Sequence, residues 1–278
     1  MSPHLSPASW RGQPCTRLTL PGGDSLLVAE QGAQVLSWVS GGRERLYLSP
    51  GCTADGQTAI RGGVPVCWPQ FSRRGPLKPH GFARNLPWRL GVSEASDGHA
   101  TLSLHLSANA QTRAEWPHGF ELALSLRLAP GQLRMTLDVH NTDSVPWSFT
   151  GALHTYLAVA DVAQAQLAGL GGQREWDSLS HQWGQGAETI VADAPFDRVY
   201  EAAPAALTLR EQAHGMTITQ SASWQHTVVW NPGAALPDLP GDGFRHMLCV
   251  EAAQVLAPHE VEPGGHWSGW QQLDVLGS

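Results

Sequence analysis

Two residues interrupt apolar stretches of this chain in places where chemistry could be done. In HMLCVEAAQV, Glu251 stands between Leu248, Cys249 and Val250 on one side and Ala252 and Ala253 on the other. In GALHTYLAV, His154 breaks a run that is otherwise nearly apolar. Burial penalises the charged form of a carboxyl and raises its pKa, which suits it to act as a general base near neutral pH. An imidazole, with an ordinary pKa of about 6.5, can give or take a proton in the same range. Each residue also has a plain structural reading. Glu251 could lie on the solvent face of an edge strand, and His154 could be a core residue bonded to a backbone carbonyl.

A third polar island spans residues 61–84. RGGVPVCWPQF opens it with Arg61 and contains Gln70; KPHGFAR closes it with His80 and Arg84. The guanidinium fork matches phosphate oxygens in paired hydrogen bonds. A stretch rich in Gly and Pro could fold Arg61 and Arg84 toward one point, although two solvated arginines would read the same way. Arg73 and Arg74 read as a solvated loop tip. No phosphate-binding Walker loop, dinucleotide-binding glycine fingerprint or G-x-S-x-G elbow occurs. The chain has 13 histidines but no H-x-H, H-E-x-x-H or H-x-x-E-H spacing, so no metal site is expected.

The elements that must position these residues are strands. Leu102, Leu104 and Leu106 alternate with polar neighbours. Leu122, Leu124, Leu126 and Leu128 form one apolar row, and Leu133, Met135, Leu137 and Val139 form the next, with Pro130-Gly131 between them. That pattern predicts a β-hairpin. Similar short runs recur along the chain, punctuated by Gly, Pro and Asp, and none carries a long 3.6-residue stripe. ADVAQAQLAGL is the best helix candidate and still reads as strand and turn. The expected fold is all-β, a large antiparallel sandwich in one domain over residues 1–278, with residues 1–15 set apart as a loosely ordered N-terminal segment.

Composition bounds the function. The formal net charge is −7 over 278 residues, and charged residues are 15%, below the typical quarter. A nucleic-acid partner is therefore not expected. No apolar run is long enough to span a membrane. Cys15, Cys52, Cys67 and Cys249 form no paired spacing, and the N-terminus has no apolar signal core, so free thiols in a reducing cytoplasm are expected. The 12 tryptophans suit sugar-binding clefts, where one face is apolar and the other polar.

Taken in order, the islands resemble the aldose 1-epimerase family, and within it the glucose-6-phosphate 1-epimerase (hexose-6-phosphate mutarotase) branch. The residues that carry the resemblance are IRGGVPVCWPQF at 60–71, HGFAR at 80–84, LHTYL at 153–157, FDRVY at 196–200, VVWNP at 228–232 and CVEAA at 249–253. The resemblance implies a galactose mutarotase-like supersandwich with an open groove and neither metal nor organic cofactor. It implies Glu251 as general base and His154 as general acid. It places His80 and Asp197 on the sugar, Arg61 and Arg84 on the phosphate, and Gln70 and Trp230 along the groove. The expected partner is a small sugar phosphate, bound by a monomer. Ser72-Arg73-Arg74 departs from the family pattern, in which glycine commonly follows PQF, and Lys78 stands where a small or uncharged residue is usual. Two other readings remain open: an epimerase of unphosphorylated aldoses, and a non-catalytic carbohydrate-binding module. A metal-dependent cupin-type isomerase lacks its ligand spacing.

Overall fold

A computed structural model describes residues 3–96, 98–193, 195–201, 206–212 and 214–277. The alternating leucines do what their period requires. Leu102, Leu104 and Leu106 are buried on the strand His99–Ser107, with half-exposed residues between them. Phe120–Ala129 and Gln132–Asn141 form the expected hairpin, with Ala129 opposite Gln132 and Gly131 in the left-handed region at φ 69°. Both leucine rows join one buried cluster. Each such side chain contributes about 1.5–3 kcal/mol by leaving water.

These strands lie in a nine-stranded sheet whose outer members are Thr189–Ile190 and Arg89–Ser96. An eight-stranded sheet supplies residues to the same cluster. It runs from the edge strand Gln182–Gln185 through Arg174–Asp177, Phe196–Tyr200, His226–Asn231, Met247–Val261 and Trp147–Leu153 to Val66–Cys67. The short strand Tyr156–Ala158 also pairs with Met247–Val261. A five-stranded sheet between His4 and Glu44 completes the fold. Neighbouring strands run antiparallel. His4–Trp10 pairs with Gln13–Thr19, placing Ala8 opposite Cys15.

The strand Met247–Val261 explains why Glu251 looked so surrounded in the sequence. Every residue from 247 to 255 is buried, so both faces of this strand are covered. Leu248, Val250 and Ala252 point into the large core. Cys249 and Ala253 pack on the opposite side, in two smaller clusters that also hold Trp230, Val199 and Val228. A continuous apolar run is the signature of a strand buried on both faces.

The stretch 160–170 is turn followed by the short strand Gln166–Ala168. The one α-helix among the described residues, Ala110–Glu115, is short and closed by a capping box between Asn109 and Thr112. Six residues are too few to show a helical stripe, so the capping box NAQT was its only sequence signal. All four cysteines are free and buried. No helix among the described residues is long and apolar enough to cross a membrane.

Candidate active site

Pairing register builds the floor of the site. Asp197 lies opposite Trp230, and Trp230 opposite Cys249. Two residues further along, Trp176, Val199, Val228 and Glu251 form a parallel row. Side chains two apart on a strand share a face. Both rows therefore lie on the side of the eight-stranded sheet away from the main core. Glu251, Val228, Trp230, Val199, Asp197 and Trp176 line a cavity of about 450 Å³. His154 enters it from just beyond Leu153, where the chain passes from Trp147–Leu153 to Tyr156–Ala158.

His154 and Glu251 meet in this cavity. Nδ1 of His154 lies 3.3 Å from Oε1 of Glu251, and the two side chains are only 7% and 1% exposed. The contact is close but not aligned: neither His154 Nδ1 nor Glu251 Oε2 has a hydrogen-bond partner in the protein. The imidazole is held by other contacts. It stacks on the Tyr156 ring at 4.7 Å, meets Trp230 edge-on at 5.9 Å, and its backbone N–H donates to the Pro65 carbonyl at 3.0 Å. Burial pushes the Glu251 carboxyl well above the ordinary range, and Asp197 adds to that shift while Arg84 opposes it. Burial pushes the His154 imidazole well below its ordinary value, reinforced by His80, Arg84 and Arg61. The resting site thus favours the proton on the carboxyl and a neutral imidazole. Asp197, half-buried, has its pKa raised by desolvation.

Arg61 lines this cavity and also an adjoining hollow of about 320 Å³, which it shares with Arg84, Lys78, Tyr156 and Asp238. Arg84 does not line the main cavity. Arg61 is partly occupied: it holds Asp238 Oδ2 through Nε at 3.0 Å and Nη2 at 2.9 Å, and Nη1 donates to the Tyr156 hydroxyl at 3.1 Å. Arg84 is freer. Nη2 donates to the Pro79 carbonyl at 3.0 Å, and its buried Nε has no partner.

The wall opposite the sheet is the loop that follows Phe71. His80 adopts a left-handed backbone at φ 66° and lies 5.4 Å from the His154 ring. Burial, then Arg84 and Arg61, depress its pKa to about 3, so it is neutral at physiological pH. Gly81, also left-handed, is required by packing: a Cβ there would lie 2.2 Å from the Trp68 carbonyl oxygen. Its freedom lets the backbone cross the Trp68 carbonyl, which accepts from Phe82 and Ala83 N–H, both at 3.1 Å.

Gln70 stands behind the loop, not in the cavity. Its amide nitrogen donates to the carbonyls of Ser72 at 2.9 Å and Leu77 at 3.1 Å, and its oxygen accepts from Leu77 N–H at 2.9 Å. It pins the loop that carries Arg73 and Arg74. These two arginines are exposed, as expected of a solvated tip, and also border the cavity together with Phe71, Ser178 and His181. Their only sequence signal was the extra charge beside the PQF motif.

Of the residues singled out in the sequence, His154, Glu251, Arg61, His80, Asp197 and Trp230 share one cavity. Arg84 joins through the neighbouring hollow, and Gln70 acts at one remove. As donors for a metal, His154, Cys249 and Glu251 form a group whose ligand atoms lie within 4.8 Å of one another.

The family model described as aldose 1-epimerase matches residues 14–274. A protein of Cenchrus ciliaris, provisionally named a glucose-6-phosphate 1-epimerase, is 35% identical over 265 residues, covering 89% of this chain and 80% of its own length. A protein of Escherichia coli K12 with the same provisional name is 36% identical over 248 residues, covering 84% of this chain and 81% of its own. The crystal structure of a Salmonella typhimurium protein, described provisionally as a mutarotase, superposes with a TM-score of 0.90 at 29% identity, covering 99% of this chain and 94% of that one.

Proposed function

The chain belongs to the aldose 1-epimerase family and is a sugar epimerase; on that premise, we propose that it interconverts the α and β anomers of a hexose 6-phosphate. The observation that carries the reading is the His154–Glu251 pair, 3.3 Å apart and buried on one wall of a sugar-sized cavity. The provisional names of the relatives support the phosphorylated substrate. So does the hollow shared by Arg61 and Arg84, where a phosphate would meet both guanidinium groups.

Mutarotation opens and closes a hemiacetal. A base takes the proton of the C1 hydroxyl while an acid gives one to the ring oxygen. The C1–O5 bond breaks and leaves an aldehyde. Rotation about C1–C2 presents its other face, and the reverse transfers close the ring as the other anomer. Glu251 is the base and His154 the acid in this scheme. Each such group contributes about 10²–10⁴-fold. The pair needs one proton between its members at the start, and it needs that proton on the imidazole.

The resting site favours the opposite placement, and the substrate's phosphate corrects it. Arg61 and Arg84 both depress His154, whereas only Arg84 acts on Glu251, in the sense of favouring its charged form. An anion bound to both arginines cancels their fields. The imidazole, which both arginines depress, then gains proton affinity, the direction that proton transfer to His154 requires. Sugar hydroxyls that occupy Asp197 weaken its push on Glu251 and favour the carboxylate further.

The test is NMR exchange between the anomers of glucose 6-phosphate at equilibrium, with free glucose in parallel. Enzyme-dependent exchange of the phosphorylated sugar alone is expected. Equal exchange of both sugars would remove the phosphate clamp and leave an epimerase of free aldoses. No exchange of either by folded protein would reject the assignment.

A further inference from the structure

Cys249 is a chemically versatile group beside the acid–base pair that mutarotation does not use. It is two residues from Glu251 on the same strand face and is fully buried. It does not line the cavity. Its sulfur, the His154 imidazole nitrogen and a Glu251 oxygen all fall within 4.8 Å of one another. Two atoms of this group are buried and unpartnered, His154 Nδ1 and Glu251 Oε2. Buried polar atoms without partners are rare, and they are what a cation would satisfy.

We propose that His154, Cys249 and Glu251 form a binding site for a thiophilic divalent cation, Zn²⁺ above all, and that its occupancy switches the epimerase off. The donor set is one nitrogen, one sulfur and one carboxylate oxygen, a combination that suits zinc and excludes magnesium and calcium. Bond lengths of about 2.0–2.3 Å place tetrahedral donor atoms about 3.3–3.8 Å apart. His154 and Glu251 already meet that spacing at 3.3 Å. The Cys249 sulfur needs only a side-chain adjustment to close the triangle. Three protein ligands leave a fourth position, which opens into the cavity through His154 and Glu251.

The charge balance is favourable. On binding, the Cys249 S–H bond breaks and its proton goes to solvent, as does any proton on the Glu251 carboxyl. A Zn–S and a Zn–O bond form, and no redox change occurs. Thiolate and carboxylate together neutralise the dication, so the nearby Arg61 and Arg84 oppose the complex only weakly. With its imidazole nitrogen and carboxylate oxygen on the metal, the pair can move no proton. A metal with its fourth ligand in the cavity also stands where the sugar's C1 hydroxyl must approach the pair, so metal and sugar exclude each other.

The inhibitory half of this inference rests on the proposed epimerase mechanism; the binding half does not, and the two are read separately. Metal-free protein is titrated with Co²⁺, which reports thiolate ligation by a charge-transfer absorption and tetrahedral geometry by intense visible bands. Both are expected, with one equivalent bound and displaced by Zn²⁺. Cys249→Ala and Cys249→Ser should lose the charge-transfer band, and Cys67→Ala should keep it. In the anomer-exchange assay, Zn²⁺ should inhibit competitively with the sugar, and Cys249→Ala should keep basal exchange while losing at least tenfold in sensitivity to zinc. Co²⁺ bound without the charge-transfer band in the parent protein would overturn the site, whether or not the variants fold. Undiminished zinc inhibition in folded Cys249→Ala would overturn it as well. The cobalt spectrum in a protein that exchanges no anomers would sustain the site and reject the mechanism instead.

Discussion

Replacing Glu251 with glutamine should destroy the activity and strengthen the fold, and the two effects have one cause. The carboxyl is 1% exposed, its Oε2 has no partner, and desolvation holds its pKa well above the ordinary 4.5. A group whose folded pKa is raised binds more protons in the native state than in the unfolded chain. Its stabilising contribution is therefore complete below about pH 4.5, the unfolded value, and is lost as pH rises through the folded value. Glutamine has the same shape and no charge to bury. It should match the parent near pH 4 and exceed it increasingly toward neutrality, by about 1–3 kcal/mol at pH 7, because holding one extra proton costs the parent up to about 1.4 kcal/mol per pH unit above the unfolded carboxyl value. For a chain of this size that is a rise of roughly 2–6 °C in Tm. Anomer exchange should fall by about 10²–10⁴-fold, with binding of the sugar phosphate nearly unchanged. Thermal unfolding at several pH values and exchange NMR on the same samples make the comparison. A glutamine variant less stable than the parent at neutral pH would refute the burial argument. Near-parental exchange would refute the role of Glu251 as base.

Three other substitutions or titrations probe separate parts of the site. Arg84→Ala should raise KM for glucose 6-phosphate by about 10–100-fold, the value of a charge-assisted hydrogen bond, and leave KM for free glucose nearly unchanged; equal effects on both sugars would exclude a phosphate contact. Because its pKa is depressed to about 3, the His80 imidazole should stay neutral, with flat NMR shifts as pH falls from neutrality into the mildly acid range, whereas a midpoint near the ordinary 6.5 would contradict the desolvation and arginine fields that depress it. Gly81→Ala places a Cβ 2.2 Å from the Trp68 carbonyl oxygen at a φ of 68°, so it should lower stability by at least about 1–3 kcal/mol; a variant with parental Tm would show that the crossing at Trp68 is easily moved.

How much of this was legible in the sequence depended on whether the signal was local. The leucine rows at 122–128 and 133–139 announced their hairpin because a period of two, interrupted by Pro-Gly, has few other solutions. Glu251 and His154 were visible as polar residues in apolar strands. Their meeting was not, because it depends on the register that sets Leu153 opposite Ala252 and Tyr156 opposite Cys249. Asp197 and Trp230 had no distinguishing local pattern and were reached through the motif order alone; pairing makes them neighbours. Gln70 was assigned to the groove because it sits in a motif, yet its amide is taken up by the backbone of residues 72–77. Arg73 and Arg74 look like any exposed pair of cations until that same amide fixes the loop over the cavity.

One strand does two jobs, and the separation between them is a matter of parity. Leu248, Val250 and Ala252 hold the large core together, while Glu251, on the other face, lines the cavity and Cys249 packs beside it in a smaller apolar cluster. The core side anchors the strand so firmly that the site side can carry an uncompensated carboxyl without the sheet rearranging to relieve it. That rigidity is what positioned proton transfer requires, since a small displacement of either group costs rate steeply. It also fits the placement of the two arginines proposed to hold the phosphate, Arg61 on a loop and Arg84 on the short 3-10 turn Ala83–Asn85, off the strands that carry the pair. Permanent cations beside Glu251 would stabilise its charge and keep His154 from holding a proton. Arg84 is held one hollow away, and Arg61, which borders both spaces, is partly occupied by Asp238, so in the proposed mechanism the two act on the pair in proportion to what is bound. In the proposed mechanism, the charge of a phosphorylated sugar then biases the protonation state in which that sugar reacts.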